Sequence, residues 1–241
     1  MSAATRGRDV EVELVARDGW RLAGLMRLPP DVGRAPGVVL VHGSHHERDA
    51  FTYGVGLPEL LADRGMASLR FDIRGRGASH HGHDFHRMAA LERRAVALDV
   101  AAALDHLASS PDVAGDRLGL IGEQDTAAAV VAAAIDPRAA ALVLLSPRLP
   151  SSALDHLRSR SIPTFGLVSN EDRESLRATA TAFLAAPHEH RRLEVFTGLG
   201  FGTTMFMARR FEQSAEEPLE EMIADWLAQE LQLPDRAGDE R

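Results

Sequence analysis

The sequence predicts an α/β fold in which a mostly parallel sheet carries helices on both faces. Three observations lead to this prediction. Asp18-Gly19 is a hairpin turn signal between two short strand patterns near the start of the chain. Residues 37–42 form a short, continuous, β-branched run, which is typical of a strand covered on both faces. Strand and helix patterns then alternate, and this alternation favours parallel strands joined by helices.

The predicted elements follow one another in chain order. Strands are predicted at residues 10–15, 20–28, 37–42, 66–71, 117–121, 139–145, 162–168 and 192–196. Helices are predicted at residues 50–64, 88–109, 124–135, 151–159, 173–185 and over most of 203–231. Residues 124–135 are nearly all alanine and valine, a composition that suits close packing against a sheet. We expect one domain over residues 1–241, with a frayed tail at 235–241.

Composition excludes several functional classes. A net charge of −8 without a basic stretch argues against a nucleic-acid or anionic membrane partner. Cysteine and lysine are both absent, which excludes disulfides, thiolate catalysis and Schiff-base chemistry. No apolar run resembles a signal peptide or reaches the length of a membrane span, so we expect a cytoplasmic protein.

Two loop motifs resemble those of a known superfamily. The segment Val39-Leu40-Val41-His42-Gly43-Ser44 is similar to the strand and His-Gly turn that supply an oxyanion-hole amide in α/β-hydrolases. The segment from Phe71 to Ser79 matches the F-D-x-R-G-x-G-x-S loop of the same superfamily. The resemblance covers residues 10–231 and is greatest to the compact, dienelactone-hydrolase-like members. It implies an eight-stranded α/β-hydrolase fold without a full lid domain.

The resemblance also locates the three positions of the catalytic triad. The nucleophile position of the G-x-S-x-G elbow is Gln124, whose amide nitrogen is not nucleophilic. The histidine position after the last strand is Phe201, whereas the acid position is Asp172. We therefore expect no hydrolysis by Ser-His-Asp chemistry. The oxyanion-hole positions are Ser44 and Asp125, where a carboxylate would oppose developing negative charge.

Each of the two aspartates allows two interpretations. Asp125 is either a displaced nucleophile or a cap of the helix that follows it. Asp172 either has a structural role, as an inherited helix cap or as the partner of an arginine, or it contacts a ligand or activates water. The sequence does not decide between these alternatives.

Histidines are concentrated in the first part of the chain. Seven of the eleven lie between residues 42 and 86, in the two loops that carry the motifs. Imidazoles that converge with carboxylates could bind a divalent metal, and His81, His83 and His86 are the candidate ligands. The alternative is a solvated loop, and no helical metal-binding spacing is present, so no metal or other cofactor is assigned. His42 is expected to hydrogen-bond the loop backbone.

We weigh three functional hypotheses. The first is a non-catalytic hydrolase-fold protein that binds a small molecule or a protein partner, with a pocket lined by His42, Gly43, His45, Gln124 and Phe201. The second is an enzyme that uses non-serine chemistry, of the lyase or oxygenase type, in the same pocket. The third is metal-assisted hydrolysis through the histidine loop. The acidic helix within residues 211–231 has apolar faces that could form a homodimer.

Overall fold

The predicted strands pair into one eight-stranded sheet of order β1-β2-β4-β3-β5-β6-β7-β8. The computed structural model describes residues 7–30, 33–185, 191–211 and 217–231. The strands are β1 Arg8–Val15, β2 Arg21–Leu28, β3 Ala35–Val41, β4 Ala67–Phe71, β5 Val113–Glu123, β6 Ala139–Leu145, β7 Thr164–Ser169 and β8 Arg191–Phe196. β2 pairs antiparallel with β1 and β4, and the remaining pairs are parallel. The carboxyl ends of β3 to β8 therefore lie at the same edge of the sheet, where ligands bind in such folds.

Helices cover both faces of the sheet. They are α1 Leu57–Asp63, α2 Ala90–Arg94, α3 Val96–Ser109, α4 Ala127–Ala133, α5 Ser151–Ser159, α6 Arg173–Ala185, α7 Thr204–Phe211 and α8 Leu219–Glu230. One apolar cluster joins α3, α4 and α5 to the sheet, and a second joins α1, α7 and α8 to its other face. Strands β3, β6 and β7 are buried on both faces, which explains their continuous apolar runs.

Three predicted helices are interrupted in the structure. The helix predicted at residues 50–64 is a 3₁₀ turn at Arg48–Thr52 followed by α1, because Gly54 and Gly56 between them have left-handed φ angles of +72° and +88°. The helix predicted at 88–109 is divided into α2 and α3. The helical stretch predicted at 203–231 is α7 and α8, with residues 212–216 outside the described chain.

Two further expectations concern the C-terminal part of the chain. The tail at 235–241 lies outside the described residues. Leu219, Ile223 and Leu227 of α8 are fully buried in the core, and the homodimer stays a prediction. Within the described ranges, none of the helices combines the length and apolar character needed to cross a membrane.

A buried ion pair holds the loop after β4 in place. The Arg74 guanidinium donates to both carboxylate oxygens of Asp99 in α3, at 2.6 to 3.2 Å, and the Arg74 amide donates to the same carboxylate at 3.0 Å. The other edge of the guanidinium donates to Asp18, which lies in the hairpin turn between β1 and β2. The arginine of the F-D-x-R-G motif thus ties a loop, a helix and the hairpin together.

Gly122 allows α4 to pack directly on the end of β5. A Cβ atom at this position would lie 2.9 Å from Cβ of Val130 and 3.0 Å from the backbone Cα of Ala127. We expect Gly122→Ala to lower the free energy of unfolding by about 1–3 kcal/mol, because the helix would have to shift. Urea denaturation followed by circular dichroism measures the change.

The matched control for this substitution is Gly33→Ala. A Cβ atom at Gly33 meets nothing within 4 Å, and its φ angle is not left-handed. We expect this variant to be as stable as the original protein or slightly more stable. Equal stability of the two variants would contradict the packing argument.

Candidate functional site

The turn from β5 into α4 has the backbone of a nucleophile elbow. Gln124 follows β5 directly and has a left-handed φ angle of +47°, which is strained for a residue other than glycine. Gln124 is only 6% exposed. Its backbone carbonyl accepts a hydrogen bond from the backbone amide of Arg148 at 2.9 Å. A Cβ atom on Gly43 would lie 3.0 Å from Oε1 of Gln124, so the loop after β3 approaches the turn closely. Gln124 therefore lies at the tight turn between β5 and α4, facing the loop after β3.

The next residue, Asp125, fills the oxyanion-hole position. Its Oδ1 accepts a hydrogen bond from the Ser44 amide at 3.0 Å. No side-chain hydrogen bond caps the turn or α4, so Asp125 does not make the bond of a hydrogen-bonding helix cap. The carboxylate still lies in the first helical turn, where the helix dipole favours negative charge. The amide that would hold an oxyanion is therefore already bonded to a carboxylate of the protein.

A buried carboxylate lies directly behind the elbow. Glu123, the last residue of β5, is fully buried, and its Oε2 accepts from the Gly43 amide at 2.8 Å. Its Oε1 accepts from the Thr203 amide at 2.7 Å and from the Thr203 hydroxyl at 3.0 Å. Nδ1 of His46 lies 3.0 Å from the same oxygen. Glu123 thus joins the loops after β3, β5 and β8.

The two charged members of this network shift each other's pKa. Burial acts to raise the pKa of Glu123, but His46 and the amides of Gly43 and Thr203 outweigh burial and hold that pKa below its ordinary value. The hydrogen bond to Glu123 raises the pKa of His46. The pair is therefore ionised on both sides near pH 6, with Nδ1 of His46 donating to Glu123.

Sequence reasoning did not identify Glu123 as part of the site. The available signal was a carboxylate at the end of a buried apolar strand, since a buried charge needs a partner. In the structure, Gly202 leaves the space that this carboxylate occupies. It has a φ angle of +57°, and a Cβ atom there would lie 2.1 Å from Oε1 of Glu123, so no side chain fits at this point of the loop.

The positions of the acid and the base of the triad lie at the neighbouring strand ends. Asp172 accepts hydrogen bonds from the Ser175 amide at 3.2 Å and the Ser175 hydroxyl at 2.7 Å, which is the geometry of an N-cap of α6. Phe201 follows β8 in a glycine-rich loop, and 48% of its surface is exposed. Of the two interpretations of Asp172, the hydrogen bonds favour the helix cap.

The histidines separate into different environments. His42 is buried: its Nε2 accepts from the Ile73 amide at 3.2 Å, its Nδ1 donates to the Gly43 carbonyl at 2.8 Å, and burial lowers its pKa. The expectation that His42 bonds the loop backbone agrees with this geometry. The rings of His45 and His86 stack with centroids 4.6 Å apart.

The remaining metal candidates lie against Trp20. His81 and His83 contact its ring edge-on, with centroids 5.9 Å and 5.2 Å from the indole. Nε2 of His81 lies 2.7 Å from the Arg21 carbonyl and is engaged there. Among the residues that the structure describes, no three His, Asp or Glu side chains are placed to bind a metal ion. His81 and His83 thus lie against Trp20, whereas His86 stacks on His45, and metal binding by these three candidates stays a hypothesis.

A groove of about 670 Å³ opens beside the elbow. Its walls come from α2, the first turn of α3, the outer face of α4 and the start of α5, and Asp125 lies at one end. The residues expected to line a pocket, namely His42, Gly43, His45, Gln124 and Phe201, are not part of it. His42, Gly43 and Gln124 are instead buried beneath the surface.

Comparisons with known proteins support the fold. No family model matches the chain. An uncharacterized protein of Mycobacterium tuberculosis, present in strains CDC 1551 and H37Rv, is 32% identical over 146 residues. This match covers 61% of the chain and 47% of the relative, so the chain spans about half the length of the curated relatives it matches.

Two solved structures illustrate the likeness. Dienelactone hydrolase of Anabaena variabilis has a TM-score of 0.76 at 20% identity, covering 94% of this chain and 99% of that one. An esterase of Pyrococcus furiosus has a TM-score of 0.68 at 18% identity, covering 93% and 94%. Together with the strand order, these matches show an α/β-hydrolase fold with a mostly parallel eight-stranded sheet. The predicted fold class and the predicted resemblance to compact dienelactone hydrolases are confirmed.

Proposed function

We propose that this chain is a non-catalytic α/β-hydrolase-fold protein that binds a small molecule or a protein partner beside its elbow. The observation that carries the proposal is the hydrogen bond from the Ser44 amide to the Asp125 carboxylate. A donor that stabilises a tetrahedral oxyanion has to be free to face the developing charge. Here the Ser44 amide already donates to the carboxylate of Asp125.

The triad positions support the same conclusion. Acyl transfer needs a nucleophile and a base, and the elbow presents the amide of Gln124 while the base position presents the ring of Phe201. The side chain of Asp172 is engaged in capping α6 and has no imidazole to orient at Phe201. On this proposal, serine hydrolysis has neither the nucleophile for attack on the carbonyl nor the imidazole for proton transfer.

The alternative is an enzyme that uses other chemistry on the same scaffold. It is favoured by the pairing of His46 with Glu123, since a carboxylate that fixes an imidazole is a common arrangement for general acid–base catalysis. The solved relatives are also named as a hydrolase and an esterase. Under this alternative, His46 would transfer the proton and Glu123 would orient it.

An esterase assay distinguishes the two functions. With p-nitrophenyl butyrate, we expect the purified protein to give the same rate as buffer, and a fluorophosphonate probe to leave it unlabelled. The variants Gln124→Ala and His46→Gln should give that same background rate. A known esterase in parallel reactions controls for the substrate and the probe.

Two results would contradict the expected lack of esterase activity. Saturable hydrolysis that is lost in His46→Gln but retained in the exposed-residue control Glu11→Gln would contradict the proposal and establish the alternative. Labelling at a serine would show that the elbow alignment itself is wrong.

A further inference from the structure

The outer face of α4 carries small side chains. Ala128, Ala129 and Ala132 lie on this face at helical spacing and are partly exposed, whereas Ala127, Val130 and Val131 face the sheet and are buried. The alanine-rich composition therefore serves two purposes. One face packs against the sheet, as the sequence predicted, and the other forms the floor of the groove.

The rest of the groove is lined by both apolar and polar residues, and its two arginines are exposed. Phe85 and Val96 contribute buried apolar surface, and Pro150 closes the side next to α5. Its volume of about 670 Å³ lies within the range of about 300–1,000 Å³ that is usual for small-molecule sites. An apolar floor of this size, next to charged groups, fits a ligand with an apolar body and a single polar end.

The charges at the rim favour an anionic end. Arg93 donates to the Met88 carbonyl at 3.1 Å, which fixes its guanidinium near the groove. The side chain of Arg94 makes no hydrogen bond or ion pair with any residue of the described ranges, and Arg94 is exposed among the groove-lining residues. Asp125 is the one carboxylate among the groove-lining residues, and its charge is already engaged by the Ser44 amide.

We infer that the groove binds an apolar monocarboxylate, with the alkyl chain on the alanine face of α4 and the carboxylate on Arg94. A guanidinium presents two parallel donors that match a carboxylate, and Arg94 has these donors available. The inference rests on the proposed binding function and names the ligand class for it.

Calorimetric titration with octanoate tests this inference, with octanol and octylamine as ligands of equal chain length and different charge. We expect saturable octanoate binding at least about tenfold tighter than octanol, because a charge-assisted hydrogen bond contributes on this scale. Octylamine should bind more weakly than octanol. Arg94→Gln should weaken octanoate binding about tenfold and leave octanol unchanged, and Arg94→Lys should restore part of the loss.

Two further variants complete the design. Ala129→Leu should fill the floor and weaken octanoate and octanol alike, since it removes space without changing charge. Arg177→Gln, an exposed arginine of α6 outside the groove, should bind octanoate like the original protein. Circular dichroism confirms that each variant is folded before titration.

Several results would overturn the inference. These are the absence of saturable octanoate binding, equal affinity for octanol, or unchanged octanoate affinity in Arg94→Gln or in Ala129→Leu. The esterase assay with p-nitrophenyl butyrate tests the non-catalytic function separately. A protein that neither hydrolyses the ester nor binds octanoate would refute the ligand class alone.

Discussion

Replacing Asp99 with alanine is expected to lower the free energy of unfolding by about 3–5 kcal/mol. Asp99 is fully buried and accepts from both the guanidinium and the backbone amide of Arg74, which is itself almost completely buried. Removing the carboxylate leaves the buried edge of the Arg74 guanidinium without an acceptor, and Asp18 compensates only the other edge. Chemical denaturation at neutral pH measures the effect.

The control uses the other carboxylate bound to the same arginine. Asp18 also accepts two hydrogen bonds from Arg74, but its side chain is 38% exposed. Water can replace this partner, so Asp18→Ala should cost about 1 kcal/mol or less. Similar losses for the two variants would mean that burial of the pair is not what makes Asp99 important.

Replacing Glu123 with glutamine is expected to cost about 2–4 kcal/mol near pH 6. Both carboxylate oxygens accept from backbone amides, one from Gly43 and the other from Thr203. In glutamine one of the two positions becomes an NH₂ group, so a donor faces a donor whichever way the amide is turned. The variant also removes the charge that pairs with His46.

The pH dependence of this difference has a defined sign. The lowered pKa of Glu123 means that its contribution is present above the ordinary value of 4.5 and is lost as pH falls through the lowered pKa. The raised pKa of His46 means that its contribution is present below the ordinary value of 6.5 and is lost as pH rises through the raised pKa. The stability difference between the original protein and Glu123→Gln should therefore be greatest between these two values.

Denaturation curves at a series of pH values, measured for both proteins, give this difference directly. Glu11→Gln, at an exposed position of β1, is the matched control and should show neither the loss nor the maximum. A difference that does not vary with pH would show that His46 and Glu123 are not paired as charges.

Strands such as β3, β6 and β7 could be predicted because they are buried apolar runs, and β1 because its apolar residues alternate with charged ones; both signals are local. The boundary of α5 at Ser151–Ser159 was predicted correctly for the same reason, since amphipathic spacing lies within the element. The helix predicted at residues 50–64 failed where Gly54 and Gly56 adopt left-handed angles. Nothing in the apolar spacing shows that these glycines interrupt it.

The site was predicted less completely because its contacts are distant in sequence. The position of Gln124 followed from a motif, which is a local pattern. The partners of Asp125 and Glu123 could not be predicted in this way, since Ser44 is 81 residues from Asp125, and Thr203 is 80 residues from Glu123. The histidine-rich stretch shows that closeness in sequence does not decide which rings meet, because His86 stacks on the distant His45 whereas His81 and His83 lie against Trp20.

The bond between Asp125 and the Ser44 amide has a consequence for any anion that competes for this position. A tethered carboxylate acts at an effective concentration of about millimolar or more, whatever the concentration of the protein. A boronate or phosphonate that mimics a tetrahedral intermediate must displace the Asp125 carboxylate before the mimic can reach the Ser44 amide. Inhibitors that bind tightly to active hydrolases of this fold should therefore be poor ligands here, even though the backbone of the elbow is retained.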